Sequence, residues 1–180
     1  MEKTVQIPDG IEVRAEGRQL VVKGKNGELR REFYHPNVKL AIKEGTFIVS
    51  SESTRKKDRA VVGTWAAHFR NMCSGASVNW EARLKIIYSH FPIKVSVEGK
   101  IVSIGNFLGG RSTRKADIVG ATKVQIDKDE IIVTGNNKEN VGHTAANIER
   151  AAKVRGFDRR VFQDGCHLTQ KAKSLSEGVR

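Results

Sequence analysis

The chain has 180 residues, and its 32 Lys and Arg side chains outnumber its 20 Asp and Glu side chains to give a formal charge of +12 at pH 7. A positive excess of this size in a short chain indicates an acidic partner, either a nucleic acid or an anionic membrane. Nucleic acid is favoured, because no apolar run approaches the ~20 residues of a spanning helix and the N-terminus MEKTVQIPDG lacks the apolar segment of an export signal. We therefore expect no membrane partner and a cytoplasmic location.

The cysteine and histidine residues predict neither a disulfide framework nor a metal site. Cys73 and Cys166 stand far apart without a CxxC neighbour, which is typical of reduced thiols in a cytosolic protein. The histidines are scattered, and none has a Cys, Asp or Glu partner at a recurring metal-ligand spacing. No nucleophile and base occur at a catalytic spacing either. The sequence therefore predicts no metal, no cofactor, no small-molecule substrate and no catalytic residue.

Short alternating segments open the chain and predict a β-rich first half. The strand segments are Val5–Ile7 and Ile11–Val13, in which apolar and polar residues alternate, and the apolar run Leu20–Val22. The Asn-Gly pair in KGKNGE (Lys23–Glu28) predicts a hairpin turn after the third segment. A second hairpin is predicted within Leu40–Val49, through the turn KEGT.

A helix is predicted after these hairpins, over residues 58–73. Apolar residues recur there at helical spacing and would form one face of an amphipathic helix. Ser53 and Thr54 are the expected capping residues at its start, and Gly75 is its expected end.

The second half of the chain repeats the order of the first, which we interpret as an internal duplication. Residues 7–75 and 92–153 should then share one fold, with the second helix over residues 139–153. The predicted fold class is α+β, with two tandem duplicated small domains, each an antiparallel sheet packed on one helix. The predicted domains are residues 1–80, residues 81–154 with the RNA-binding role, and a basic tail over residues 155–180. Three blocks align in the same order: Glu16–Glu28 with Glu98–Gly110, Lys39–Val49 with Lys123–Val133, and Val62–Met72 with Val141–Ala151.

The loop GNFLGGRSTRKAD (Gly105–Asp117) is where the second copy departs most from the first. Gly109 and Gly110 would allow a close approach of backbone N–H groups to a partner, and a positive φ is expected at Gly110. Cations suited to phosphate oxygens follow them, and Ser112 could also donate a hydrogen bond. The spacing is that of neither a dinucleotide-binding fingerprint nor a phosphate-binding P-loop, so the alternatives are a polyanion contact and a plain surface turn. We predict the polyanion contact, through Arg111, Arg114 and Lys115.

The segment after the second helix is basic and has few apolar residues, so it is not expected to form a core of its own. It could be a solvated tail or an arm lying on RNA. Aromatic residues are 6% of the chain, and this scarcity favours folded or double-stranded RNA over a single strand held by stacking. The predicted RNA-binding residues of the tail are Arg155, Arg159, Arg160, Lys171 and Lys173.

Four stretches together resemble one known family. They are the opening Ile7–Phe33 and the motifs YSHFPI (Tyr88–Ile93), GNFLGG (Gly105–Gly110) and RVFQDG (Arg160–Gly165). The chain resembles ribosomal protein six of the large subunit, in its archaeal and eukaryotic branch, over nearly its whole length. The resemblance implies a structural role on large-subunit rRNA near the sarcin–ricin loop and the factor-binding region, with neighbouring ribosomal proteins as further partners. It adds Asn106 and Gln163 to the predicted RNA-binding residues.

Two other functions remain as hypotheses at this point. One is a stand-alone module for structured RNA, such as an RNA chaperone acting away from the ribosome. The other is an enzyme such as a nuclease, which the absence of a convergent acid–base set in the sequence disfavours.

Overall fold

The structure is a computed structural model, and it describes residues 1–43, 45–158 and 160–175. The chain divides into two compact units, with the division between Asn79 and Trp80. The first unit therefore ends one residue before the expected boundary at residue 80, and the second continues beyond residue 154. Among the described residues, no helix has the length and apolar character needed to cross a membrane.

The first unit consists of two three-stranded antiparallel sheets and one helix. Its first sheet has the strand order β1-β6-β5, and its second has the order β2-β3-β4. The elements are β1 (Glu2–Gln6), β2 (Glu12–Glu16), β3 (Gln19–Gly24), β4 (Gly27–Glu32), β5 (Lys39–Lys43), β6 (Thr46–Ser50) and α1 (Lys56–Ser77).

The core of the first unit lies between the apolar faces of these strands and α1. Leu20 and Val22 of β3 belong to this core, and Val21 between them is also buried but is not part of this core cluster. The Phe47 ring of β6 stacks on the Phe69 ring of α1 with their centroids 4.0 Å apart. Trp65 lies in the same core, edge-on to Phe33 at a centroid distance of 5.2 Å. The helical spacing of the sequence therefore identified the buried face of α1.

Both ends of α1 differ from the prediction. The residue before its first turn is Arg55, which makes no side-chain cap, and the helix passes through buried Gly75 to end at Ser77. The physical reason for the longer helix lies in the β3–β4 turn, where the backbone N–H of Asn26 donates to the Ala76 carbonyl. A tertiary hydrogen bond thus satisfies a carbonyl that a glycine cap would otherwise serve.

The second unit repeats the two sheets and the helix and adds one strand. Its larger sheet has the order β11-β12-β7-β13, and its smaller sheet has the order β10-β9-β8. The elements are β7 (Trp80–Ile87), β8 (Lys94–Glu98), β9 (Ile101–Gly105), β10 (Arg114–Asp117), β11 (Lys123–Asp127), β12 (Glu130–Gly135), α2 (Lys138–Ala151) and β13 (Gly165–Ser174), with a short 3₁₀ turn at Phe107–Gly109.

The duplication and the α+β class are confirmed. The sheet order β5-β6-β1 of the first unit matches β11-β12-β7 of the second, and β2-β3-β4 matches β8-β9-β10. The first strand of each copy, β1 or β7, was not part of the aligned sequence blocks, and each copy has two sheets where the sequence predicted one.

The prediction of a tail over residues 155–180 requires correction for residues 165–174. These residues form β13, which pairs antiparallel with β7 along the edge of the larger sheet. The segment needs no core of its own, because Cys166 is fully buried in the core that β7 and α2 already form. Counting apolar residues along the segment missed this, since a strand added to an existing sheet needs only one apolar face.

Candidate nucleic-acid interface

The loop between β9 and β10 is held by one buried aromatic side chain. Phe107 is 4% exposed and packs into the core of the second unit. On either side of it, Asn106 and Leu108 adopt left-handed backbone conformations with φ of 56° and 52°. A left-handed backbone at a residue other than glycine costs free energy, so neighbouring contacts must hold the loop in this conformation. The Asn106 side chain supplies part of that support by donating to the Pro92 carbonyl at 3.0 Å.

The two loop glycines have different roles. Gly109 has a φ of +74°, and a Cβ placed there would lie 3.2 Å from the Phe91 ring. Gly110 has an ordinary φ of −71°, so the expectation of a positive φ at this position is wrong. A Cβ on Gly110 would still lie 3.1 Å from the Phe107 carbonyl oxygen. The glycines therefore serve the packing of the loop as well as any approach of a partner.

Some of the predicted polar residues of this loop are exposed, and others have side chains that bond to the protein itself. Arg111, Ser112 and Lys115 are exposed. Lys115 alternates along β10 with buried Ala116, so its side chain lies on the side of the strand away from the core. These three residues are available to a partner.

The Arg114 side chain makes its hydrogen bonds and its ring contact within the second unit. Its Nη1 donates to the carbonyls of Ala151 and Lys153, each at 3.0 Å, where α2 ends. Its guanidinium also lies over the Phe107 ring, 4.0 Å from the centroid. Burial, and then the nearby charge of Arg155, lower the pKa of Arg114 from its usual value. We therefore assign Arg114 a positioning role, joining the loop to the end of α2.

The segment between β7 and β8 joins the two regions that the sequence singled out. Phe91 packs against Gly109 of the loop. Ser89 donates its backbone N–H to the buried carboxylate of Asp164 at 3.0 Å, and Asp164 belongs to the RVFQDG motif. Residues 88–92 therefore contact both the loop 106–115 and the RVFQDG motif, and we call the exposed surface of residues 88–92, 106–115, 155–158 and 160–163 the loop face.

The loop 155–163 supplies further cations and two aromatic rings. Arg155, Arg160 and Gln163 are exposed, and Arg159 lies outside the described residues. The Phe157 and Phe162 rings lie 4.8 Å apart at an interplanar angle of 47°. They are 55% and 40% exposed, although each ring contacts the other.

Lys171 and Lys173 are also exposed, but they lie on β13. That strand holds them at the edge of the larger sheet. The two lysines are therefore fixed by β-pairing, unlike side chains on a solvated arm.

A cavity of about 740 Å³ opens beside the end of α2 and the loop 155–163. Its lining includes Arg150, Lys153, Arg160, Phe162, His167 and buried Cys166. Burial raises the pKa of the Cys166 thiol to about 12, so the thiol stays protonated and unreactive at neutral pH. No group of three metal-ligating side chains occurs within the described ranges.

Sequence reasoning missed the exposed aromatic residues of this face. Tyr88 and Phe91 are each 43% exposed, and Phe157 and Phe162 are exposed beyond the end of α2. The prediction used the low aromatic content of the whole chain, which does not say where the rings lie. The motifs YSHFPI and RVFQDG contain three of these four rings, and that clustering was the available signal.

Comparison with known proteins identifies similar chains over both units. A family model described as Ribosomal protein L6 matches residues 7–78 and 91–165. A protein of Methanosarcina mazei named large ribosomal subunit protein uL6 is 46% identical over 170 residues, covering 94% of this chain and 97% of that protein. Proteins with the same name from Methanocella arvoryzae and Methanobrevibacter smithii are 47% and 44% identical, covering 94% and 95% of this chain and 97% and 96% of their own lengths.

Proposed function

We propose that this chain, which belongs to the ribosomal protein L6 family, binds large-subunit rRNA through the loop face of its second unit. The family is a structural, non-enzymatic component of the large ribosomal subunit, in agreement with the expectation of no catalytic residue. In this proposal, the loop face contacts the rRNA near the sarcin–ricin loop and the factor-binding region. Neighbouring ribosomal proteins are the other partners, on the cytoplasmic ribosome.

The observation that carries the proposal is the joining of three sequence-distant loops into one cationic surface. Asn106 bonds to Pro92, Ser89 bonds to Asp164, and Arg114 bonds to the end of α2. Because these contacts fix the loops, exposed Arg111 and Lys115 are held in place before a partner arrives. Pre-ordered cations lose less conformational entropy on binding phosphate than flexible ones do.

The test compares two double variants in equivalent hairpins of the two units. Arg111→Ala with Lys115→Ala removes two exposed cations from the loop face, whereas Lys23→Ala with Lys25→Ala removes two exposed cations at the corresponding turn of the first unit. Binding of the full chain to a large-subunit rRNA transcript is measured across salt concentrations. We expect the first pair to weaken binding and to reduce the log–log salt slope by roughly 2, about 1 for each phosphate that is no longer neutralised.

The control pair should leave both the affinity and the slope near their original values. Equal effects of the two pairs would contradict the proposal, because the surface would then be defined by total charge alone. A stand-alone RNA chaperone is distinguished by sedimentation, since a constituent should be present at one copy per large subunit and resist moderate salt washing.

A further inference from the structure

We propose that the cavity beside the end of α2 holds a single unpaired nucleotide of the bound RNA, with its base stacked on Phe162. This inference rests on the proposed function and names one subsite within it. The cavity, of about 740 Å³, falls within the ~300–1,000 Å³ range of small-ligand sites. It lies wholly within the second unit.

The charges that line the cavity favour an anionic occupant. Three basic side chains outnumber the two acidic ones, Glu149 and Asp164, which keep their charge. Each carboxylate already accepts a backbone N–H, Glu149 from Leu168 at 3.3 Å and Asp164 from Ser89 at 3.0 Å. The side chains of three basic lining residues have no ion pair or hydrogen bond to any residue that the structure describes. They are Arg150, Lys153 and Arg160.

The end of a helix would normally oppose such an occupant. Its free carbonyls carry partial negative charge and disfavour an anion nearby. Here Arg114 donates to the carbonyl of Ala151, the last residue of α2, and to that of Lys153 just beyond it, so a guanidinium lies against one of the free carbonyls of the helix end. The cavity beside the helix end is therefore suited to a phosphate in spite of its position.

The exposed rings supply the contact that distinguishes a nucleotide from a simple phosphate. Phe162 lines the cavity and remains 40% exposed, with Phe157 tilted against it. A base can stack on an exposed ring of this kind whatever its identity. His167, whose Nε2 lies 3.0 Å from the Gln163 carbonyl, lines the same cavity and offers a polar group to a base edge. An exposed ring, free cations and engaged carboxylates favour RNA over an apolar protein segment.

The test separates stacking from charge. Phe162→Ala in the full chain should weaken binding to a large-subunit rRNA transcript by about 5- to 100-fold, the range expected when one base no longer stacks on an aromatic ring. The salt slope should stay unchanged, because no cation is removed. Arg160→Ala should instead reduce the slope by roughly 1. Phe162→Trp should retain affinity, and Phe162→Leu should lose it, because leucine keeps the apolar character but not the ring.

Tyr34→Ala is the matched control, since Tyr34 is an exposed ring of the first unit, 59% exposed, with Arg18 lying over it. It should bind RNA like the original chain. The subsite is refuted if Phe162→Ala binds like Tyr34→Ala while Arg111→Ala with Lys115→Ala still weakens binding, and the proposed function then stands. It is also refuted if Phe162→Ala binds RNA normally but fails to retain neighbouring proteins in the subunit. Failure of the original chain to bind the transcript would overturn both proposals.

Discussion

The two units share one fold but differ in how many of their aromatic side chains are buried. In the first unit, Phe33, Phe47, Trp65 and Phe69 are buried and contact one another in the core. In the second unit, the core is mainly aliphatic and four rings are exposed on the loop face: Tyr88, Phe91, Phe157 and Phe162. Among the described residues, Tyr34 is the one exposed ring of the first unit, and Phe107 and Trp80 are the buried rings of the second, so the two copies differ in how many of their rings serve the core.

One strand position shows the same divergence at a single residue. Leu29 of β4 is paired with Val22 of β3, and it is buried in the core of the first unit. Arg114 of β10 is paired with Ile104, the counterpart of Val22 in the aligned sequence, so Arg114 occupies the place of Leu29. A core leucine in one copy therefore corresponds to a guanidinium that joins a loop to a helix end in the other.

The largest effect should come from an aromatic residue in the core of the first unit. Trp65→Ala removes a ring that is 9% exposed and packed against Phe33, so we expect a loss of about 3–5 kcal/mol in unfolding free energy. The matched variant in the second unit, Phe91→Ala, removes a ring that is 43% exposed and should cost less than about 1 kcal/mol. Denaturant unfolding of both variants measures the difference. Similar losses of unfolding free energy in the two variants would contradict the contrast between the units.

A smaller effect should follow from Arg114→Lys. Lysine keeps the charge but cannot bond to both carbonyls with the fixed fork of arginine. We expect a loss of about 1 kcal/mol in unfolding free energy, the size of one net hydrogen bond. RNA affinity should fall because the loop is less well positioned, while the salt slope stays the same because no charge is removed.

Lys153→Ala is the control for this variant, since Arg114 bonds to the backbone carbonyl of Lys153 and not to its side chain. It should leave the unfolding free energy nearly unchanged and alter the salt slope instead. Arg111→Ala is expected to reduce the log–log salt slope of RNA binding. A similar reduction in Arg114→Lys would show that Arg114 contacts a phosphate directly, and its assignment as a positioning residue would be wrong.

The repeated strands and the helices could be predicted because their signals are local. The apolar run of β3 and the helical spacing in α1 follow from which side chains are buried, and the duplicated blocks show the same pattern twice. The position of β13 could not be predicted this way, because its stability depends on the edge of β7, a strand distant in sequence. The end of α1 was missed for a similar reason, since the Ala76 carbonyl accepts from the backbone N–H of Asn26, which is distant in sequence.

The candidate site was predicted in part. The loops containing Arg111 and Arg160 were identified from their cations and motifs, and the structure joins them through residues 88–92. The internal role of Arg114 could not be inferred, because charge in a sequence does not reveal which carbonyls lie within reach. The exposure of Phe157 and Phe162 likewise depends on how the chain turns after α2.

The central claim is that the loop face of the second unit, and not the first unit, meets the RNA. Ultraviolet cross-linking of assembled large subunits, followed by mass spectrometry of this chain, tests it most directly. We expect nucleotide adducts on peptides from residues 88–92, 106–115 and 155–163, with Phe162 among the modified residues. Adducts concentrated on the first unit, with none on these three segments, would contradict it.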